Sequence, residues 1–342
     1  MTKTAKIKDW EKLPEEEILQ MRIRDLRLQI PGSPLEPLVQ KLYDELDARG
    51  IHFRPPCYLA DEWLCPDGDP IIGIPFCLAH PRLKNIEQKM MFDVEGGTEE
   101  FCIKLLRHEA GHALNYAYRL YRRTRWRELF GPFSAKYGDY YYYKPYSRRY
   151  VSHLEDNYAQ AHPDEDFAET FAVWLTPDSD WQEKYKHWPV IKKLQYVDSV
   201  MTKIADQSPV ISINQKPPWS ASRMVSTLAA YYERKRRALG TEFQGFYDAS
   251  LMELFATKRT GPDAVKASRF LREHRRQIIN YLTRWTGHRK YDVHQLVNRF
   301  IARCDALGLY ARVGKADNII GVTALLAAIA SSTATVSTKR RL

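Results

Sequence analysis

Two short segments of this chain hold residues that can do chemistry together. The first, Arg107-His108-Glu109-Ala110-Gly111-His112, reads H-E-x-x-H; the second, His162-Pro163-Asp164-Glu165-Asp166-Phe167-Ala168-Glu169, concentrates carboxylates. Side chains four apart on a helix lie on one face, so the imidazoles of His108 and His112 can converge on one ion. Glu109 sits one step round, where a carboxylate can reach a water on that ion. H-E-x-x-H on a helix is the zinc metalloprotease pattern, with the Glu as general base. A catalytic zinc needs a third protein ligand and one open position. The second segment offers that ligand, with Glu165 as the candidate.

The choice within the second segment has to be argued. Asp164, Glu165 and Asp166 fall in a first helical turn, where carboxylates also serve to complement the helix dipole. Glu169 lies a turn deeper. Glu165 and Glu169 share a face, so one can ligate while the other accepts the ring N–H of a ligand histidine; the spacing leaves open which does which. His162 is the alternative ligand, since imidazole binds zinc well. Glu165 is preferred to it because a helix holds a ligand rigidly. His80 and His153 stand alone and read as surface or hydrogen-bonded residues.

These residues need elements to position them. Thr98 is placed to cap a helix that has Glu99 and Glu100 in its first turn and runs to about Arg123. Gly111 lies inside it at a cost of about 1 kcal/mol relative to Ala, which implies that something packs closely on its backbone. Pro163 suits the first position of a second helix ending near Thr176-Pro177. Before them, helical spacing covers Pro14–Leu28 and Leu35–Arg49, and strands are expected at Ile51–Ala60 and Pro70–Leu78. Pro75 suggests an edge position, so Ile71–Leu78 is either a strand that binds an extended peptide or an ordinary sheet edge. A short helix is expected at Arg148–Tyr158, beyond a tyrosine-rich loop at Gly131–Tyr146. Further helices are expected at Val190–Ile204, Ala221–Leu239, Leu251–Thr257, Pro262–Trp285, Asp292–Leu307 and Ile319–Ala330.

The stretch Glu165-Asp166-Phe167-Ala168-Glu169 resembles the E-x-F-A-E segment of the anthrax lethal factor catalytic domain, one of the gluzincin peptidases. In these, H-E-x-x-H is completed by a Glu on a downstream helix. The run from about Trp10 to Trp188 resembles a bacterial family of zinc-binding metallopeptidases marked by a HEAGH helix and a Y-A-x-x-H-P-x-E-D-F-A-E segment. The second pattern stands here as Tyr158 to Glu169. The resemblance implies Glu165 as the ligand and Glu169, with Asp166 beside it, as support for a ligand imidazole. It also implies a catalytic role for Tyr158, which stands at the offset of an assisting tyrosine. No substrate transfers with it.

The 342 residues suffice for two domains, and the net charge of +10 is unevenly spread. From Lys216 onward there are 23 Lys and Arg against 9 Asp and Glu, while residues 1–215 hold 29 against 33. That shift places a boundary near Gln215-Lys216-Pro217-Pro218. The five cysteines form no C-x-x-C pair, and the opening MTKTAKIKDWEKLPEEE has no apolar stretch suited to a signal peptide. A reducing, cytoplasmic protein is therefore expected. The longest apolar run, Ile319–Ala330, is too short to span a bilayer. Basic runs such as Arg234-Lys235-Arg236-Arg237 and Arg269–Arg276 fit solvated helix faces better than a nucleic-acid surface, because no nucleic-acid-binding motif accompanies them.

The expected fold is α+β. A zincin-like metallopeptidase domain with a small sheet spans 1–215, a basic helical domain 216–332, and a disordered tail 333–342. The expected cofactor is Zn2+, held by His108, His112 and Glu165, with Glu109 as base and Tyr158 as oxyanion donor. The expected partner is a protein or peptide substrate.

Overall fold

The computed structural model describes residues 10–91, 94–138, 140–141, 143–144, 146–154, 157–211, 213, 216–239, 247–259, 261, 264–286, 288, 290–312, 314–332 and 336–337. Helices dominate, beside a small parallel two-stranded sheet, which agrees with an α+β class. The described residues divide into two compact units: 10–90 and 94–232 with Ser337, and Met91 with those between 233 and 336.

The first unit opens with α1 (Glu15–Leu19) and a 3-10 turn at Ile23–Leu26, where one helix over Pro14–Leu28 was expected. It continues through α2 (Glu36–Ala48), β1 (Cys57–Ala60), β2 (Ile72–Pro75) and α3 (Pro81–Met91). The site helices are α4 (Glu99–Ala117) and α6 (Pro163–Leu175), with α5 (Thr124–Phe130) between them in sequence. The unit continues with α7 (Trp181–Lys184) and α8 (Ile191–Ile204). The strands pair with Cys57 opposite Ile72 and Ala60 opposite Pro75. Both are shorter than expected, since the prolines at 55, 56 and 75 cannot donate to a ladder. At Gly73 the outer edge of β2 is already taken: its N–H and C=O both bond to Leu64. The peptide-binding edge considered for this strand is therefore closed at that residue.

Helix α4 starts where the sequence says it should, with the Thr98 hydroxyl accepting the Phe101 N–H at 3.2 Å. Pro163 is the first residue of α6, and the side chain of His162 caps that helix by accepting the Asp164 N–H at 3.1 Å. From Cys102 to Ala117 almost every α4 residue is buried, and so is every α6 residue from Asp164 to Leu175. The two helices touch at Gly111. A Cβ there would stand 2.8 Å from the Ala168 Cα and 3.2 Å from the Phe171 Cβ, so only glycine permits the approach.

Two buried ion pairs brace this helix pair from outside. Arg107 donates two hydrogen bonds to Glu45 of α2, at 2.7 and 2.6 Å. On the other side, Lys193 of α8 lies 2.5 Å from Asp166 and also donates to the Arg149 carbonyl at 3.0 Å. The expected helix at Arg148–Tyr158 is instead bends and turns leading to a 3-10 turn at Tyr158–Gln160, with residues 155 and 156 outside those described.

The charge shift at Lys216 is not where the packing changes. Residues 216–232 belong to the first unit: the Leu228 N–H bonds Met21, Ser220 bridges Ala60, and the Tyr231 hydroxyl donates to the Asp61 carbonyl at 2.9 Å. Packing follows these apolar and backbone contacts, whereas net charge follows the solvated surface. Helix α9 (Leu228–Leu239) supplies residues to both units.

The second unit contains α10 (Asp248–Leu254), α11 (Ala267–Thr286), α12 (Lys290–Ala306) and α13 (Lys315–Ser332). Its own core includes Leu251, Phe270, Leu271, Ile278, Val297, Phe300 and Leu326. Within the expected tail, Val336–Ser337 is a two-residue strand, and 333–335 and 338–342 lie outside the described residues. Among the described residues no helix is long and apolar enough to cross a membrane.

The Gly111 contact sets the first test. Gly111→Ala gains helix propensity of about 1 kcal/mol but must push Ala168 away, and overpacking of this kind costs about 1–3 kcal/mol. Urea unfolding is expected to show a net loss of stability; a variant more stable than wild type would mean the helices part easily.

Candidate metal centre

Helices α4 and α6 bring three donor atoms to one point. His108 Nε2 lies 3.0 Å from Glu165 Oε2 and 3.1 Å from His112 Nε2, and His112 Nε2 lies 3.1 Å from the same Glu165 oxygen. All three side chains are buried, at 3%, 1% and 1% exposure, and together they form a group able to hold a metal ion. Bonds of about 2.0–2.1 Å at tetrahedral angles put neighbouring ligand atoms about 3.3 Å apart. The observed triangle therefore fits one face of a tetrahedron around a small cation, after a slight widening.

The charge inside the site points the same way. Asp164, Glu165 and Glu169 are buried against the imidazoles of His108 and His112, with His153 near Glu169 as well. Burial opposes protonation of His108, yet its bonds to Glu165 and Glu169 outweigh that and push it up to about 9. Burial likewise opposes protonation of His112, but Asp164 and Glu165 hold it well above the usual histidine value. Burial favours the neutral form of Glu165, but the histidines depress it well below the carboxylate range. Without an ion, protons supply the positive charge these carboxylates demand; a divalent cation would replace them.

The outer nitrogens of both imidazoles are also held. His108 Nδ1 meets Glu169 Oε1 at 2.8 Å, and the other Glu169 oxygen accepts the Leu154 N–H at 2.9 Å. Glu169 thus lies against the outer nitrogen of His108. Asp166 does not: it turns away to Lys193, and burial pushes it up to about 7 despite that lysine. The partner of His112 is Asp164, whose Oδ2 lies 2.9 Å from Nδ1 and accepts the Tyr116 hydroxyl at 2.6 Å. Asn115 donates to the other Asp164 oxygen at 2.7 Å. On the sequence, Asp164 reads only as a first-turn carboxylate complementing the dipole. The usable signal is the antiparallel crossing: if His108 meets Glu169, His112 one turn on must meet a residue about one turn back.

His162 is outside the triangle. Its Nε2 donates to the Ala135 carbonyl at 2.8 Å and its Nδ1 caps α6, so both nitrogens are occupied by backbone. Glu109, Tyr158, Trp63, Glu95, Leu105 and Leu154 line one cleft with the three donors. Tyr158 is buried, with its ring 5.7 Å from that of His108. His153 bonds the Lys104 carbonyl at 3.0 Å, and burial lowers its affinity for a proton. The tyrosine-rich loop contributes a residue that spacing did not single out: the Tyr137 hydroxyl donates to Glu165 Oε1 at 3.0 Å.

No family model, no curated protein and no solved structure matches this chain.

The two aspartates can be told apart by measurement. Asp164→Asn is expected to weaken metal affinity by about 10–100-fold in a competition titration. Asp166→Asn is expected to lower the melting temperature by unpairing Lys193 and to leave the affinity unchanged. Swapped results would reverse the assignment.

Metal uptake is also tied to pH. His108, raised above its ordinary value, stabilises the metal-free fold fully below pH about 6.5, and this contribution disappears as pH rises through about 9. Ligation needs neutral imidazoles, so binding near pH 7.5 is expected to release about one proton or more. Calorimetry in buffers of differing ionisation enthalpy reads this directly; uptake without proton release would contradict the charge balance described.

Proposed function

We propose that this chain is a zinc-dependent peptidase whose ligands are His108, His112 and Glu165. The single observation that carries this reading is the buried triangle of those donors with a further carboxylate, Glu109, in the same cleft and outside the donor set. Two imidazoles and one carboxylate suit zinc at a hydrolytic site, where a fourth position is kept open. When bound there, the metal would polarise a carbonyl and lower the pKa of a water toward about 7. The helical i, i+4 arrangement in H-E-x-x-H and the resemblance to gluzincin peptidases support peptide bonds as the substrate class.

In this reading Glu109 removes a proton from the attacking water and delivers it to the amine that leaves. Its burial, at 6% exposure, keeps that proton from exchanging freely with solvent. The Tyr158 hydroxyl donates to the oxygen that gains charge as the carbonyl is attacked, an interaction strongest near the transition state. Glu169 and Asp164 hold the imidazoles in the tautomer that leaves each Nε2 available.

A second reading has its own observation. Helix α11 exposes Tyr281, Arg284 and Trp285 along one side, with Trp285 78% exposed. Arginine beside open aromatic rings suits nucleic acid, and the chain would then work through that surface with a structural metal.

The two separate on one variant. Glu109→Gln is expected to keep about one zinc per chain while cleavage of an unstructured protein falls by about 10²–10⁴-fold. Tyr158→Phe is expected to keep zinc and approximate KM and to lower kcat by about 10²–10³-fold. Undiminished cleavage by Glu109→Gln would remove the mechanism. Retention on an anionic polymer with a steep salt slope, and no cleavage by wild type, would favour the second reading.

A further inference from the structure

Glu165 has two oxygens and only one faces the histidines. Oε2 lies 3.0 Å from His108 Nε2 and 3.1 Å from His112 Nε2, while Oε1 accepts the hydroxyl of Tyr137 at 3.0 Å. A carboxylate that is 1% exposed needs donors of its own, because a buried oxygen left without one costs about 1–3 kcal/mol. The ring that brings this donor is itself placed. It stacks on the His162 imidazole with centroids 3.7 Å apart and planes 18° from parallel.

His162 in turn is held at both ring nitrogens. One nitrogen caps α6 through the Asp164 N–H and the other donates to the Ala135 carbonyl. The start of the loop is docked on the same helix end: a Cβ at Gly131 would meet the Pro163 ring at 3.3 Å. A line of contacts therefore runs from the start of α6, through His162 and Tyr137, to the distal oxygen of Glu165. This accounts for a histidine that the donor set leaves out and for an aromatic residue, 39% exposed, that the core does not need.

We propose that Tyr137, seated on His162, is a positioning residue that holds Glu165 to single-oxygen ligation of the metal. The chemistry is specific. A carboxylate whose second oxygen has no donor can swing to offer both oxygens to a cation, which fills the position a reacting water or carbonyl must occupy. A hydroxyl bonded to that oxygen holds it off. The inference rests on the metal-centre reading and is independent of the substrate.

The test uses the full chain loaded with Co2+ as a spectroscopic probe and with Zn2+ for affinity. Tyr137→Phe keeps the stacked ring and removes the hydroxyl; His162→Asn keeps a helix cap and removes the stacking partner. For Tyr137→Phe the expectation is about one metal per chain at saturation, an affinity lower by about 10–100-fold, and weaker visible Co2+ bands, the mark of a higher coordination number. His162→Asn is expected to change the spectrum in the same direction and by less. A Tyr137→Phe protein with wild-type spectrum and affinity would overturn the proposal, as would a changed spectrum in His162→Asn alone. Wild type that takes up no metal would instead bring down the metal-centre reading itself.

Discussion

The site depends on how closely two backbones can approach. Gly111 of α4 lies against Ala168 of α6 with no room for another carbon. That contact sets the helix separation at the one height where His108 and His112 from one side and Glu165 from the other can share a point. The positions that face each other elsewhere follow from it. One turn in one direction pairs His108 with Glu169, and one turn in the other pairs His112 with Asp164.

Holding charge between two such helices is costly unless every charge is answered. The structure answers in layers. The inner imidazoles and carboxylates neutralise one another, Asn115, Tyr116 and Tyr137 satisfy outward-facing oxygens, and Arg107 and Lys193 close ion pairs on the far sides of the two helices. Arg107 and His108 are neighbours in sequence and point about 100° apart. Helix α4 is thereby held against α2 and α6 at once and resists rolling.

Much of this was legible in the sequence where the information is local. The cap at Thr98, the first-turn position of Pro163, the shared face of His108 and His112, and the close approach at Gly111 all follow from helical spacing. The face shared by Glu165 and Glu169 follows from it too. Spacing fails where the partner is distant in sequence. Asp164, Glu165 and Asp166 are consecutive carboxylates that point in three directions, and only the antiparallel crossing and Lys193 decide that Asp164 turns inward and Asp166 away. Tyr137 sits in a loop without periodicity, so nothing near it in sequence marks it out. The domain boundary failed for a related reason: charge density changes at Lys216, but Leu228 and Tyr231 pack with the first unit.

The depth of the donors has a kinetic meaning. With His108, His112 and Glu165 at 3% exposure or less, an ion seated among them would be reached through the cleft that Glu109 and Tyr158 also line. Anything that strips the ion would have to enter by that same mouth. A bulky chelator would then remove it more slowly than a small one of equal affinity.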